Sequence, residues 1–162
     1  MKHHLAVALA LALGSAPALA QEFKAGDITI EKPWARATPK GADVGAGYLT
    51  IRNNGAAPDR LTGGTADFAN VEVHEMSMAG GVMKMRELKD GLAIPAHGSV
   101  TLAPSGYHLM FTGLKQPLTK GSVAKATLTF EHAGAIPVEF PVSGIGASSG
   151  QPKKNDMGGM KM

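Results

Sequence analysis

The chain has 162 residues, no cysteine and a formal net charge of +3 at neutral pH. Without cysteine there are no disulfides, no thiolate metal sites and no blue-copper electron transfer, all of which need a sulfhydryl group. So small a positive charge, with no basic stripe interleaved with aromatic residues, argues against nucleic acid as a partner. The length suits one domain with a hydrophobic core of its own.

The first twenty residues have the layout of a secretory signal peptide. Lys2 gives a positive start, residues 5–13 are an apolar run, and Ala18-Leu19-Ala20 has the small-x-small pattern that signal peptidases cut. We therefore predict a signal peptide over residues 1–20 and a periplasmic protein that begins at Gln21. The apolar run is too short to span a bilayer, and no second long one follows, so no membrane span is expected in the mature form.

After the signal peptide, the local patterns are nearly all typical of β-strands. Turn signals separate the runs, among them Asn53-Asn54-Gly55, Gly63-Gly64 and Ala79-Gly80-Gly81. Strands are predicted at residues 28–31, 46–52, 71–78, 82–88, 99–102, 107–111, 124–130 and 136–142. Short strands at this spacing favour an all-β domain over residues 21–143, an antiparallel β-sandwich or barrel.

The C-terminal residues differ in composition from the domain. Residues 144–150 are rich in Gly, Ser and Ala, and residues 151–162 are polar apart from Met157, Met160 and Met162. Such a segment cannot bury enough apolar surface to order itself. We predict a flexible, methionine-containing tail over residues 144–162.

Methionine is unevenly distributed along the chain. Met76, Met78, Met83 and Met85 lie within ten residues of one another, and Met110 stands alone on a later strand. Methionine that only fills gaps in a core would be scattered over many strands. The cluster flanks a turn signal, so residues 71–78 and 82–88 are predicted to form a β-hairpin.

Two registers are open for this hairpin. A loop at Ala79-Gly80 would put His74 opposite Met85, whereas a loop at Gly80-Gly81 would put Met76 opposite Met85 and leave His74 diagonal to it. Opposed Cβ atoms lie roughly 4.5–5.5 Å apart and diagonal ones roughly 7–8 Å apart, so either register lets His74 and Met85 reach a common atom. Alternation also separates this face from the one that carries Val71 and Val73.

A second His/Met pair lies on the strand at residues 107–111. Period two puts His108 and Met110 on one face, and Tyr107, Leu109 and Phe111 on the other, core-facing side. The candidate metal ligands are therefore His74, Met85, His108 and Met110. Soft thioethers select Cu(I), and imidazole also suits copper, while zinc and calcium favour other donors.

Other histidines and methionines have simpler interpretations. His97 precedes Gly98 in a turn, His132 precedes Ala133-Gly134, and both are expected to be structural or solvated. Met76, Met78 and Met83 fit a core role and a soft rim that guides copper equally well. The tail methionines either collect a second copper or have no metal-binding role, and the sequence does not separate these alternatives.

Several motifs resemble the periplasmic PCu(A)C copper-chaperone family. They are Val73-His74-Glu75-Met76, Gly81-Val82-Met83-Lys84-Met85-Arg86 and Gly106-Tyr107-His108-Leu109-Met110, with Pro33-Trp34-Ala35-Arg36 and Gly47-Tyr48-Leu49-Thr50 upstream. The resemblance implies a cupredoxin-like fold, with Cu(I) held by His74, Met85, His108 and Met110. It also implies a copper acceptor, either a cytochrome c oxidase subunit or an assembly factor of that enzyme.

The functional prediction is a copper chaperone rather than an enzyme, since no nucleophile–base pair, carboxylate pair or cofactor loop stands out. A copper-resistance or storage protein would bind the same ion and keep it. A metal-free interaction module is the other alternative, and it predicts no copper binding at all. Because only neutral histidine binds metal, copper affinity is expected to fall below roughly pH 6.5.

Overall fold

The computed structural model describes residues 21–150, which contain eleven strands and no helix. The strands are β1 (Glu22–Ala25), β2 (Ile28–Arg36), β3 (Val44–Asn53), β4 (Asp59–Ala66), β5 (Ala69–Ala79), β6 (Val82–Glu87), β7 (Leu92–Ile94), β8 (Ser99–Leu102), β9 (Tyr107–Thr112), β10 (Val123–Phe130) and β11 (Gly134–Ser143). No helix in this part of the chain has the length and apolar character needed to cross a bilayer.

Seven of the strands close into a barrel in the order β2-β11-β10-β4-β5-β9-β3, because β3 pairs back onto β2. The remaining strands are additions: β1 extends from β2, β6 from β5, β7 from β4 and β8 from β3. The predicted all-β, cupredoxin-like architecture is confirmed. One pairing departs from the antiparallel pattern, since β11 runs parallel to β2 where Val142 lies beside Ala35.

Each of the eight predicted strands is present, and three further strands were not predicted. Gly63-Gly64, interpreted as a turn, lies inside β4, so that interpretation is wrong. The two glycines serve close strand packing, because a Cβ on Gly64 would collide with the carbonyl oxygen of Thr127 on β10. Glycine here permits the close approach of a neighbouring backbone rather than a change of chain direction.

The barrel interior is filled by the inward-facing residues of its strands. Phe111 is at the centre of an aromatic cluster, with ring centroids 5.3 Å from Phe68 and 5.8 Å from Phe140. Its ring lies so close to β3 that a Cβ at Gly47 would stand 2.8 Å from Phe111 Cζ. Burying an apolar side chain of this kind contributes about 1.5–3 kcal/mol, so the inner faces of β5 and β9 are firmly held.

The described part of the predicted tail lies against the barrel. The Arg36 guanidinium donates two hydrogen bonds to the carbonyl oxygen of Ala147, at 3.1 and 2.7 Å. Gly150 packs closely on Trp34, which is itself only 7% exposed and has its ring centroid 4.5 Å from that of Tyr48. Trp34 is therefore a packed aromatic. The predicted signal peptide and the tail methionines lie outside the described residues.

Candidate metal centre

The site is built on the outer face of two neighbouring barrel strands, β5 and β9. Their inner faces carry Val71, Val73, Leu109 and Phe111, all buried, and this fixes which side chains point outward. On the outer face the antiparallel register sets His74 directly opposite His108 and Glu72 directly opposite Met110. Strand pairing thus brings together residues 34 positions apart in the sequence.

The two imidazoles lie close together and are shielded from solvent. Their ring centroids are 5.8 Å apart, with the ring planes inclined by 39°. The side chain of His74 is 11% exposed and His108 is 6% exposed, although both are on the outer face of the barrel. A histidine pair so close and so little solvated can share a ligand.

Glu72 fixes the proton on His74. One carboxylate oxygen, Oε2, lies 2.8 Å from His74 Nε2, and the other, Oε1, accepts a hydrogen bond from the Thr112 hydroxyl at 3.1 Å. An ionised carboxylate can only accept, so Nε2 carries the hydrogen and Nδ1 carries the lone pair. That Nδ1 is buried and has no hydrogen-bond partner among the described residues. A buried lone pair without a partner is costly, and a metal ion would satisfy it.

His108 is held in the complementary way by the backbone. Its Nδ1 lies 3.2 Å from the carbonyl oxygen of Gly106, which can only accept, so Nδ1 carries the hydrogen and Nε2 carries the lone pair. Burial lowers the pKa of His108, and this effect outweighs the opposing effect of the hydrogen bond to the Gly106 carbonyl. The neutral ring that metal binding requires is thereby favoured.

Met85 lies on the β5–β6 hairpin, on the strand that pairs with the other side of β5. The two-residue loop of the hairpin is Gly80-Gly81, with φ of 58° and 78°, the left-handed conformation that a tight hairpin turn of this type requires. Met85 therefore lies opposite Met76 and diagonal to His74, the second of the two registers that the sequence left open. Diagonal Cβ atoms are roughly 7–8 Å apart, within reach of a long side chain.

The strand arrangement does not place the four predicted ligands equally close to one another. His74, His108 and Met110 lie on adjacent strands, whereas Met85 is on the far side of β5 and is 50% exposed. Within residues 21–150 no three side chains of His, Asp or Glu form a metal-binding group. The candidate donors on this face are imidazole and thioether, which suit a soft monovalent ion better than they suit zinc or calcium.

Glu72 is the residue of this site that the sequence interpretation missed. It lies two positions before His74, so period two alone places it on the same face. A carboxylate that accepts from a metal-binding histidine orients the ring and sets its tautomer. The alternation of β5 contained this signal, but a charged residue on a strand is also typical of an ordinary solvated surface.

His97 and His132 lie in turns outside β5, β6 and β9. His97 is in the turn before β8 with a φ of 52°, and its backbone nitrogen donates to Gly55 O at 3.0 Å. The backbone nitrogen of His132 donates to Asp59 Oδ1 at 2.9 Å, while its side chain is 68% exposed. Both fit the structural and solvated roles expected of them.

Comparison with known proteins gives matches over the barrel. The chain is 33% identical over 120 residues to "Putative lipoprotein Lxx21020" of Leifsonia xyli subsp. xyli, covering 74% of this chain and 71% of that protein. The solved structure "Copper-bound PCuAC domain from PmoF2" is 30% identical with a TM-score of 0.63, covering 76% of this chain and 98% of that one.

A further match is the solution structure of Cu(I)-bound DR1885 from Deinococcus radiodurans. It is 28% identical with a TM-score of 0.54, and the match covers 79% of this chain and 83% of that one. The family described as "Putative lipoprotein LpqE-like" matches residues 28–142, from the start of β2 almost to the end of β11. The chain therefore belongs to the LpqE-like family, which is the PCu(A)C-type family, and has its cupredoxin-like β fold.

Proposed function

We propose that this protein is a periplasmic copper chaperone that holds Cu(I) with His74, Met85, His108 and Met110. The observation that carries the proposal is the facing histidine pair, in which each ring has one nitrogen held by an oxygen acceptor. The other nitrogen of each ring is left with a lone pair, and that of His74 is buried without a partner. Two related domains of known structure were solved with copper, one of them as Cu(I).

The oxidation state follows from the chemistry of the donors. Thioether sulfur is a soft ligand and prefers Cu(I) over Cu(II). All four proposed ligands are neutral, so the bound ion leaves the site with a single positive charge. The nearby Glu72 carboxylate offsets that charge without having to bind the metal.

Delivery rather than storage is supported by the openness of one side of the site. Met85 is half exposed on an edge hairpin, so an incoming ligand can displace it before the histidines release the ion. The acceptor that we propose is the copper centre of cytochrome c oxidase, reached through an oxidase subunit or an assembly factor. The protein would act as a carrier and not as an enzyme, because exchange of ligands leaves the cargo chemically unchanged.

Location in the periplasm is proposed on two grounds. The N-terminal sequence has the signal-peptide layout, and the related protein of Leifsonia xyli and the family itself are both described as lipoproteins. Exposed methionine and a site for Cu(I) also suit a compartment through which copper passes. Fractionation of cells, with N-terminal sequencing of the recovered protein, tests this; a chain that retains residues 1–20 would contradict cleavage.

The first experiment is an anaerobic Cu(I) competition titration of the protein against a chromophoric chelator. Tight binding at one site is expected, and the His108→Ala, Met110→Ala double variant should lose it while it keeps its β-type circular dichroism. His132→Ala is the matched control, since it removes an exposed histidine outside the site and should leave affinity unchanged. Binding that is indifferent to the double variant would contradict the proposed ligands.

A second experiment separates delivery from storage. The Cu(I)-loaded protein is mixed with an apo copper-binding fragment of the oxidase, and transfer is followed by the absorbance of the acceptor. Direct exchange predicts a transfer rate that rises with acceptor concentration. A rate that is slow and independent of the acceptor would favour the storage or resistance function, which is the alternative that we retain.

A further inference from the structure

The β5–β6 hairpin carries two cross-strand pairs of methionine beyond the histidine pair. Met76 lies opposite Met85, and Met78 lies opposite Met83, nearest the Gly80-Gly81 turn. Alternation puts all four on the face that carries His74. The hairpin therefore has two methionine rungs, an inner one (Met76 and Met85) and an outer one (Met78 and Met83).

The outer rung is exposed to solvent. Met78 is 69% exposed and Met83 is 43% exposed, and every residue of β6 is exposed. Among the described strands β6 pairs only with β5, so the hairpin projects from the barrel. These methionines fill no gap in the core, which removes the usual structural reason for methionine.

Charged side chains are kept off the methionine face at this end of the hairpin. Between the rungs, Ser77 lies opposite Lys84, and alternation turns both to the other face. The neighbouring ion pair, Glu75 with Arg86 at 2.8 Å, lies on that other face as well. The outer rung thus offers two thioethers and no competing charge, a surface suited to a soft monovalent cation.

The spacing of the rungs allows an ion to pass between them. Directly opposed Cβ atoms are roughly 4.5–5.5 Å apart, so both sulfurs of one rung can contact one ion. Successive rungs are two residues apart, or about 6.6 Å along the strand. The inner rung contains Met85, which is itself a proposed ligand of the histidine site.

We propose that Met78 and Met83 form a second, weaker Cu(I) site that loads the histidine site through the inner rung. Copper moves by ligand exchange: bonds to the sulfurs of the inner rung form as those to Met78 and Met83 break. Bonds to the His74 and His108 nitrogens then form as the bond to Met76 breaks, and neither an electron nor a proton is exchanged. This inference rests on the proposed function for the identity of its cargo. The outer site requires only that a soft cation be available.

The test uses the protein labelled with [methyl-13C]methionine and titrated with Ag(I), a diamagnetic and redox-inert substitute for Cu(I). The first equivalent should shift the methyl signals of Met85 and Met110. The second should shift those of Met78 and Met83. The Met78→Leu, Met83→Leu variant lacks those two methyls, so it is judged by other readouts. The first response should remain, the Ag(I) bound should fall by one equivalent, and Cu(I) loading from a chelator should slow several-fold at unchanged affinity of the tight site.

The control variant is Ser77→Ala, Lys84→Arg, which alters the same hairpin on its opposite face and should leave both responses and the loading rate unchanged. A second equivalent that moves only the tail methyls, or a loading rate unaffected by the leucine pair, would overturn the inference. A first equivalent that leaves Met85 and Met110 unmoved would instead contradict the proposed function. The two failures are thus distinguished in a single titration.

Discussion

Strands β5 and β9 form two faces with different side chains, an apolar inner face and an outer face with histidine and methionine. The inner face carries Val73, Leu109 and Phe111, which are almost completely buried and contact the core. The outer face carries His74, His108 and Met110, which lie on the side of the strands opposite to the core. Because successive side chains alternate, one pair of strands carries core residues on one side and the proposed copper ligands on the other.

This division implies that stability and copper binding can be altered separately by changing adjacent residues. Leu109 and Met110 are neighbours in sequence, yet one is fully buried in the core and the other faces outward. If the two faces are independent, a substitution on one should leave the property of the other unchanged.

The largest expected effect is on the inner face. Leu109→Ala removes a fully buried side chain and should lower the free energy of unfolding by about 2–5 kcal/mol, since it leaves a cavity in the barrel. Urea denaturation measures this loss, and Cu(I) competition on the folded variant should give the wild-type dissociation constant. A large loss of affinity in the folded variant would show that the faces are coupled.

The neighbouring substitution should have the opposite result. Met110→Leu keeps the volume and apolar character of the side chain but removes its sulfur, so stability should change by less than about 1.5 kcal/mol. Cu(I) affinity should fall at least about tenfold, or ~1.4 kcal/mol, if the thioether is a ligand. Urea denaturation and Cu(I) competition measure the two effects, and unchanged affinity would remove Met110 from the ligand set.

Glu72→Gln tests the carboxylate behind His74. The amide keeps the size of the side chain but can also donate a hydrogen, so it no longer specifies the His74 tautomer with a free Nδ1. Losses of this kind cost about 10–100-fold in metal affinity. The readouts are the Cu(I) dissociation constant and the 15N chemical shifts of the His74 ring.

Glu75→Gln is the matched control for that variant. Glu75 is on the same strand but on the opposite face, where it accepts from Arg86. Its loss should leave both the affinity and the ring shifts unchanged. An equal effect of the two substitutions would mean that Glu72 acts through general charge and not by positioning the ring.

The sequence predicted the faces well because they depend on local alternation. The core-facing role of Leu109 and Phe111, and the separation of His74 from Val73, follow from period two alone and are confirmed by burial. The hairpin was also predictable, since its turn signal lies between two strand patterns. Its register was left open, although both turn residues adopt positive φ, which is unfavourable for Ala79 and favours Gly80-Gly81.

The local sequence pattern could not predict which distant strands pair with each other. That β5 lies beside β9, with His74 opposite His108, is decided by how the whole barrel closes. The same limit explains the error at Gly63-Gly64, where glycine permits the approach of β10 instead of forming a turn. A glycine pair in isolation signals a turn; its role in β4 depends on a strand more than sixty residues away.

The smallest expected effect is a difference in pH dependence between the stability of the barrel and its copper binding. Asp59, at the start of β4, is a structural carboxylate that accepts from the backbone nitrogens of Arg60, His132 and Ala133. Burial tends to raise its pKa, but these three hydrogen bonds together lower it below the ordinary value. The stability from Asp59 is therefore complete above about pH 3.9 and is lost as the pH falls through the lower pKa of the folded state.

Copper binding should weaken at a higher pH than this. The pKa of His108 is lowered, mainly by burial, so protons begin to compete for its ring only below about pH 6.5, and Met85 and Met110 do not titrate. Below about pH 6.5 we expect declining Cu(I) affinity with residual thioether binding, while circular dichroism still shows the folded barrel. Affinity that stays flat until the barrel unfolds in acid would contradict histidine ligation, whereas affinity and fold lost together would show that the outer face cannot change without the inner one.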